Sequence, residues 1–201
     1  MFRLLLALAL LAAPAWAEKH RFSTAVFADV VTFTMPAGFH VDHHIAKPGR
    51  YYVFAIPKGQ RVGWETALVS LIAYENRTQS ERSDNAHLLA MRWVGDYAQD
   101  CPGGFRYTAL PLPRIAGVSD AKAFFTHCSR DFADTRKEST IVLFLTGQKH
   151  MYALEWLQRG DVPERMNYAR WYPRLALLAR NFRICDQTAG QTALISSCTA
   201  N

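Results

Sequence analysis

The sequence predicts an α+β fold, in which a largely antiparallel β-sheet carries two main helices on opposite faces. One observation is the pair of apolar segments 140–146 and 151–158, which flank the short turn 147–149 and are typical of a β-hairpin. The first segment is apolar on both of its faces, so both faces of the sheet should be covered there. The other observation is that only two segments show the periodicity of a substantial helix. Runs of strands with two such helices indicate the α+β class.

Residues 1–17 have the pattern of a secretory signal peptide. Arg3 precedes an apolar run of about ten residues, which is too short to cross a bilayer ~30 Å thick. Ala15 and Ala17 are the small residues that a signal peptidase requires. We therefore expect cleavage after Ala17, a periplasmic or secreted location, and one globular domain over residues 18–201 with no integral membrane span.

Alternating or continuous apolar segments predict seven strands. The predicted strands are 25–35, 51–56 and 66–74 before the first helix, and 105–110, 121–127, 140–146 and 151–158 after it. Segment 39–45 is expected to be a polar link. In the turn of the last hairpin, Gly147 can adopt the positive φ that a tight turn needs.

The first helix is predicted from an apolar stripe at helical spacing. Its members are Ala86, Leu89, Ala90, Trp93 and Tyr97. Ser83 or Asp84 can cap its start by accepting backbone N–H bonds. The stop signals from Cys101 to Gly104 should end it.

The second helix is predicted to begin at a capping box formed by Asp161 and Glu164. Its buried stripe consists of Tyr168, Trp171, Leu175, Leu178 and Phe182. Pro173 interrupts the stripe, removes a backbone donor and crowds the preceding turn. We therefore expect a kink or break near Trp171.

All four cysteines, Cys101, Cys128, Cys185 and Cys198, follow the expected cleavage site. Thiols in an oxidising compartment pair, and none has the C-x-x-C spacing of a redox motif or a zinc site. Of the three connectivities, Cys101–Cys128 and Cys185–Cys198 are favoured because each closes a neighbouring segment. The second would pin the C-terminal tail.

The charge pattern argues against nucleic acid as a partner. The chain has a formal net charge of +6 at pH 7, but its basic residues are scattered and form no long run. Attraction to acidic partners is compatible with this charge.

Short motifs resemble the PsbP-like α/β/α sandwich, the fold of a photosystem extrinsic subunit and a Ran-binding release factor. They are VTFTMPAGF at 31–39, IVLFLTGQKHMYALEWL at 141–157 and the closing helix. G-x-x-x-x-Y at 147–152 and W-x-x-R-G at 156–160 are also similar to small periplasmic proteins. The resemblance implies a binding or accessory role, because members of that fold mostly act without chemistry of their own. It assigns no functional residue here.

One cluster has the residue types of a metal site: His40, Asp42, His43 and His44 in GFHVDHH. Imidazole and carboxylate ligands suit zinc or copper. On an extended segment His40, Asp42 and His44 would point the same way. Polar residues of an exposed loop explain the cluster equally well.

The candidate contact for a protein partner is Trp64 with Arg61, on a connecting segment rich in glycine. Exposed Trp and Arg side chains are the usual anchors of an interface. A Trp packed over the sheet edge is the alternative, and most other aromatic residues, including Tyr51 and Tyr52, are expected in the core.

The function predicted from these observations is a non-enzymatic exported binding or accessory protein that recognises a protein partner in the envelope or outside the cell. The alternative is a metal-binding periplasmic protein using the histidine cluster. A hydrolase is a third hypothesis, without the G-x-S-x-G elbow that would support it. Its triad would draw on Ser70, Ser119 or Ser139 with His87, His127 or His150 and an aspartate.

Overall fold

The computed structural model describes residues 21–61, 67–75, 85–102, 104–112, 114–115, 117–129, 137–160 and 167–186. The predicted signal peptide and the tail after residue 186 lie outside these residues. The described part of the chain has the predicted α+β fold, with ten strands in two antiparallel sheets and two helices. No helix within it is long and apolar enough to cross a membrane.

The strands and helices follow one another in a simple order. They are β1 (Arg21–Val26), β2 (Asp29–Thr34), β3 (Phe39–Lys47), β4 (Arg50–Pro57), β5 (Ala67–Glu75), α1 (Ala86–Gln99), β6 (Phe105–Leu110), β7 (Asp120–Cys128), β8 (Glu138–Thr146), β9 (His150–Arg159), α2 (Tyr168–Arg180) and β10 (Arg183–Asp186). The seven-stranded sheet has the order β3-β4-β5-β9-β8-β7-β6, and the three-stranded sheet has the order β1-β2-β10.

The predicted hairpin of β8 and β9 lies at the centre of the larger sheet. Its register runs from Glu138 opposite Arg159 to Thr146 opposite Met151. Ile141, Leu143 and Leu145 belong to the core on one face, together with α2 and the smaller sheet. Val142 and Phe144 pack on the other face under α1. The helices therefore cover opposite faces of the sheet, as the two-sided apolar pattern of β8 predicts.

Gly147 in the hairpin turn does not have the expected positive φ. Its small size instead allows neighbouring groups to pack closely against the turn. A Cβ added at this position would lie 3.0 Å from Ile184 Cδ1 and 3.3 Å from Tyr152 Cε2. The turn thus needs glycine because β10 approaches it closely.

The start of α1 differs from the prediction by one or two residues. Asn85 caps the helix, since its Oδ1 accepts a hydrogen bond from the Leu88 N–H at 3.0 Å. The predicted caps, Ser83 and Asp84, lie outside the described residues. Ala86, Leu89 and Ala90 of the predicted stripe are buried against the sheet.

Helix α2 is continuous through Pro173, so of the predicted kink or break near Trp171 the break is wrong, and the kink stays a prediction. Trp171, Leu175 and Leu178 are fully buried on both sides of the proline. Pro173 itself lies on the exposed side of the helix. Because proline has no N–H, the carbonyl one turn earlier has no helical donor, but on this side water can hydrogen-bond to it. Packing of the buried side chains holds both halves of the helix in place. Asn167 caps the start, and the predicted capping box lies outside the described residues.

Two predictions near the N-terminus are also wrong. The expected single strand over 25–35 is divided by a turn at Phe27, which has a φ of 55°, and this turn produces the hairpin of β1 and β2. The expected link over 39–45 is strand β3. The turn was missed because it contains neither glycine nor proline. Strand β3 was missed because its histidines interrupt the apolar–polar alternation that is typical of a strand.

A buried hydrogen bond joins the two sheets. The Tyr152 hydroxyl of β9 donates to Asp29 Oδ2 of β2 at 2.5 Å. Asp29 is 4% exposed and Tyr152 is fully buried, and burial raises the pKa of Tyr152 above its ordinary value. Asn181 Nδ2, just after α2, also donates to Thr34 Oγ1 at 2.7 Å. The smaller sheet is therefore anchored by polar contacts as well as by apolar packing.

The Cys101–Cys128 disulfide is present, as favoured, with an S–S distance of 2.08 Å. It ties the segment after α1 to the end of β7. Cys185 is disulfide-bonded as well. Its predicted partner, Cys198, lies outside the described residues, so that pairing stays a prediction.

Replacing both Cys101 and Cys128 by serine should lower the free energy of unfolding by about 3 to 4 kcal/mol. The disulfide closes a loop with a sequence separation of 27 residues, and its loss restores chain entropy to the unfolded state. Urea unfolding of the oxidised native and variant proteins measures the difference. An unchanged unfolding midpoint with an unchanged slope would contradict the stabilising role of the bond.

Candidate binding surface

The α1-side face of the larger sheet continues beyond the helix onto β3, β4 and β5. Helix α1 itself packs over β7 and β8. Register places His43 opposite Phe54, Ile45 opposite Tyr52 and Lys47 opposite Arg50, and Arg50 opposite Tyr74. Residues directly opposite each other share a face. We call this set the β3–β5 surface: His43, Ile45, Lys47, Arg50, Tyr52, Phe54 and Tyr74.

Aromatic rings form a continuous ladder along this surface. The His43 and Phe54 ring centroids are 4.8 Å apart, and Phe54 is stacked with Tyr52 at 6.1 Å. Ile45 beside them is 37% exposed, and Tyr52 and Phe54 are partly exposed. The ladder therefore presents flat, rigid, partly apolar rings at the protein surface.

Two cations lie over the rings at one end of the ladder. Lys47 Nζ is 6.0 Å from the centroid of Tyr52, and Arg50 Cζ is 5.6 Å from that of Tyr74. Both distances are within the range of cation–π attraction. Lys47 and Arg50 are themselves exposed, so their charges face solvent while the rings restrain them.

At this end of the ladder, the pKa values of Arg50 and Tyr74 are both raised. A hydrogen bond with Tyr52 raises the pKa of Arg50 further above its ordinary value. Burial, and then the negative charge of Glu155, raises the pKa of Tyr74 to about 12. Arg50 thus keeps its positive charge near neutral pH, and Tyr74 stays a neutral phenol.

Strand β3 is the edge strand of the larger sheet. A bulge interrupts its pairing with β4 between Val41 and His43. Bulges and charged side chains protect edge strands from uncontrolled pairing, and Asp42 and Lys47 provide such charges. Side-chain recognition on the face of β3 is therefore favoured over pairing along its edge.

The same bulge changes the geometry of the predicted histidine cluster. His40 lies opposite Ile56, whereas His44 lies opposite Val53. Ile56 and Val53 are an odd number of residues apart on β4, so they point to opposite faces of the sheet. The shared direction predicted for His40, Asp42 and His44 is therefore wrong, because one extra residue shifts the alternation.

Within the cluster, Asp42 Oδ2 lies 2.6 Å from His43 Nδ1. The His44 ring stacks on Tyr51, whereas the His43 ring is tilted against Phe54. Among the described residues, no three His, Cys, Asp or Glu side chains are grouped to hold a metal ion. Zinc or copper binding stays a prediction that this arrangement does not favour.

The predicted contact residues are only partly described. Arg61 is exposed after the end of β4, and Trp64 lies outside the described residues. The residues that sequence reasoning missed are Arg50, Tyr52 and Phe54. Their alternation along β4 was a usable signal, but the expectation that most aromatic residues are core concealed it.

The residues considered for a hydrolase are distributed over separate parts of the fold. His127 Nδ1 lies 2.9 Å from Ser139 Oγ, and both residues are fully buried. Ser70 donates to Glu155 Oε2 at 2.8 Å, and Ser119 donates to the Thr146 carbonyl at 3.0 Å. The one Ser–His pair that these contacts form is thus closed to a substrate in this conformation.

Two buried carboxyl groups lie between the sheet and α1. Glu138 accepts hydrogen bonds from the Tyr97 hydroxyl and from Arg159 Nε at 2.8 Å. Glu155 accepts from Ser70 instead. Burial raises the pKa of Glu155 to about 7, although hydrogen bonds from Ser70 and Trp93 act in the opposite direction. Glu155 lies on β9 opposite Ser70 of β5, so this carboxyl, which titrates near neutral pH, is next to the β3–β5 surface on the same face of the sheet.

The raised pKa of Glu155 predicts a specific pH dependence of stability. The folded protein keeps this proton up to about pH 7, whereas the unfolded chain loses it near its ordinary pKa of 4.5. Stability should therefore fall as pH rises from about 4.5 through 7. Between pH 5 and pH 8, the unfolding free energy of the Glu155→Gln variant minus that of the native protein should increase by on the order of 1 to 3 kcal/mol.

Urea unfolding at several pH values measures this difference. Asp96→Asn, which neutralises an exposed acid on α1, is the matched control and should run parallel to the native protein. Identical pH profiles for native protein and Glu155→Gln would show that Glu155 is ionised in the folded state throughout the range.

Comparison with known proteins adds no family to this picture. The sequence matches no family model, and a search of curated proteins finds no significant match. The PsbP-like resemblance therefore depends on its short motifs and the order of elements alone.

Proposed function

We propose that this chain is a non-enzymatic binding protein, exported from the cell, whose β3–β5 surface recognises an acidic protein partner. The observation that carries the proposal is the ladder of partly exposed rings flanked by two restrained cations. Tyrosine and arginine dominate the binding energy of protein interfaces, because rigid rings and planar guanidinium groups lose little entropy on contact. The partner would place apolar side chains on the ladder and carboxylates beside Arg50 and Lys47.

Charge complementarity supports an acidic partner. Residues 39–61 contain four basic side chains, Lys47, Arg50, Lys58 and Arg61, against the single acidic side chain of Asp42. A local positive field of this kind accelerates encounter with an acidic protein and orients it. Arg61, the contact predicted from the sequence, would lie at the border of this field.

Export is proposed from the N-terminal sequence. The basic residue, apolar run and Ala-x-Ala pattern of residues 1–17 are those of a signal peptide. The Cys101–Cys128 disulfide is compatible with an oxidising compartment. A PsbP-like accessory role, with the partner in the envelope or outside the cell, belongs to the same proposal.

Site-specific photo-crosslinking tests the proposal and identifies the partner. A photoreactive phenylalanine analogue replaces Tyr52 in the exported protein of the native host, and Tyr107 on the opposite sheet edge is the control position. Tyr107 is 50% exposed, so both probes can reach a neighbouring protein. We expect one discrete adduct from position 52 that is absent from position 107. Adducts of equal pattern from both positions would refute a specific surface.

Charge reversal then measures the surface with the purified partner. Arg50→Glu should weaken binding about tenfold to a hundredfold, because it removes a cation next to the rings and repels an acidic partner. Arg106→Glu makes the same change in net charge at an exposed position of β6 and should weaken binding less than threefold. Equal losses in both variants would mean that only overall charge matters. Titration by calorimetry at 150 mM salt provides the comparison.

A further inference from the structure

We propose a second binding site, for an oxyanion-bearing group, between α2 and the end of β9. Its residues are Arg170 and Arg174 of α2 and Gln158 of β9. This site lies on the α2 side of the larger sheet, whereas the β3–β5 surface lies on the α1 side. The two proposals therefore stand or fall separately.

Both arginines converge on one neutral acceptor. Arg174 Nη1 donates to Gln158 Oε1 at 2.7 Å, and Arg170 Nη2 donates to the same oxygen at 3.2 Å. Two guanidinium groups thus lie within reach of a single atom. Their remaining N–H groups can serve as further donors at this point, which is the arrangement that carboxylate and phosphate oxygens accept bidentately.

Arg174 is held in position by aromatic rings. Its Cζ lies 4.5 Å from the ring centroid of Trp171 and 5.0 Å from that of Trp156. Cation–π contacts at these distances fix the plane of the guanidinium group. The donor geometry is therefore preorganised, and binding an anion would cost little side-chain entropy.

Among the described residues, no carboxylate balances the charge of the arginine pair. Within the described part of the chain, neither Arg170 nor Arg174 forms a salt bridge with a carboxylate. Burial, and then the positive charge of Arg170, lowers the pKa of Arg174. Two like charges that share one amide oxygen repel each other, and a bound anion would relieve this repulsion.

A buried donor next to the pair strengthens the inference. Trp171 is fully buried, and its Nε1 has no hydrogen-bond partner among the described residues. A buried donor without an acceptor is costly. Its ring contacts Arg174, so this unsatisfied indole belongs to the lining of the site.

The exposure of the site determines how a ligand would enter it. Arg170 is exposed, whereas Gln158 and Arg174 are partly buried. The anionic group would enter from solvent and lie at the surface between helix and strand. A phosphate ester or an organic carboxylate fits this arrangement, with the rest of the ligand directed outwards.

Titration with simple anions tests the site. Tryptophan fluorescence of the intact protein is followed against sodium phosphate and, separately, sodium acetate at constant ionic strength set with sodium chloride, because Arg174 contacts two indole rings. We expect saturable binding of at least one anion. Phosphate alone would assign the site to phosphate groups, and acetate would extend it to carboxylates.

Matched variants identify the residues involved. Arg170→Gln and Arg174→Gln should each weaken anion binding about tenfold or more, whereas Arg180→Gln, at the exposed end of the same helix, should change it less than twofold. Arg170 is exposed, so its variant keeps the proposal testable even if Arg174→Gln unfolds the protein. Absence of saturation by both anions, or equal affinity in Arg170→Gln and Arg180→Gln, would overturn the proposal.

Discussion

Burial of β8 on both faces is the constraint on which the rest of this structure depends. Residues of opposite parity on one strand, such as Leu143 and Phe144, lie in two different cores. A strand of this kind requires cover on each side of the sheet. Helix α1 provides one cover, while α2 and the β1-β2-β10 sheet provide the other. The buried bond between Tyr152 and Asp29 then fixes the small sheet on the side that α2 shares.

The same arrangement explains why side chains of β3, β4 and β5 stay uncovered on the α1 side of the sheet. Helix α1 packs over β7 and β8, beside the centre of the sheet, so the outer strands keep side chains such as Tyr52 and Arg50 at the surface. A seven-stranded sheet is wider than one helix can cover, since helices are about 10 to 12 Å across and strands lie about 4.8 Å apart. The proposed binding surface thus lies beyond the edge of α1, on strands that continue from the buried centre of the sheet.

Sequence reasoning predicted the parts of the fold that local periodicity determines. The β8–β9 hairpin, both helical stripes and the Cys101–Cys128 disulfide follow from residue spacing alone. The turn at Phe27 and the bulge before His43 could not be predicted, because neither carries glycine or proline. The candidate site was missed for a related reason. Its side chains come from three strands that only sheet register brings together, and a core tyrosine and a surface tyrosine look the same in one sequence.

Amide hydrogen exchange tests most directly whether binding is confined to the uncovered strands. The protein is measured alone and with the partner that position 52 captures. We expect the partner to slow exchange at least tenfold in β3 and β4, while β6, β7 and the amides of β8 and β9 keep their rates. Protection centred on β6 and β7, with β3 and β4 unchanged, would contradict recognition through the β3–β5 surface.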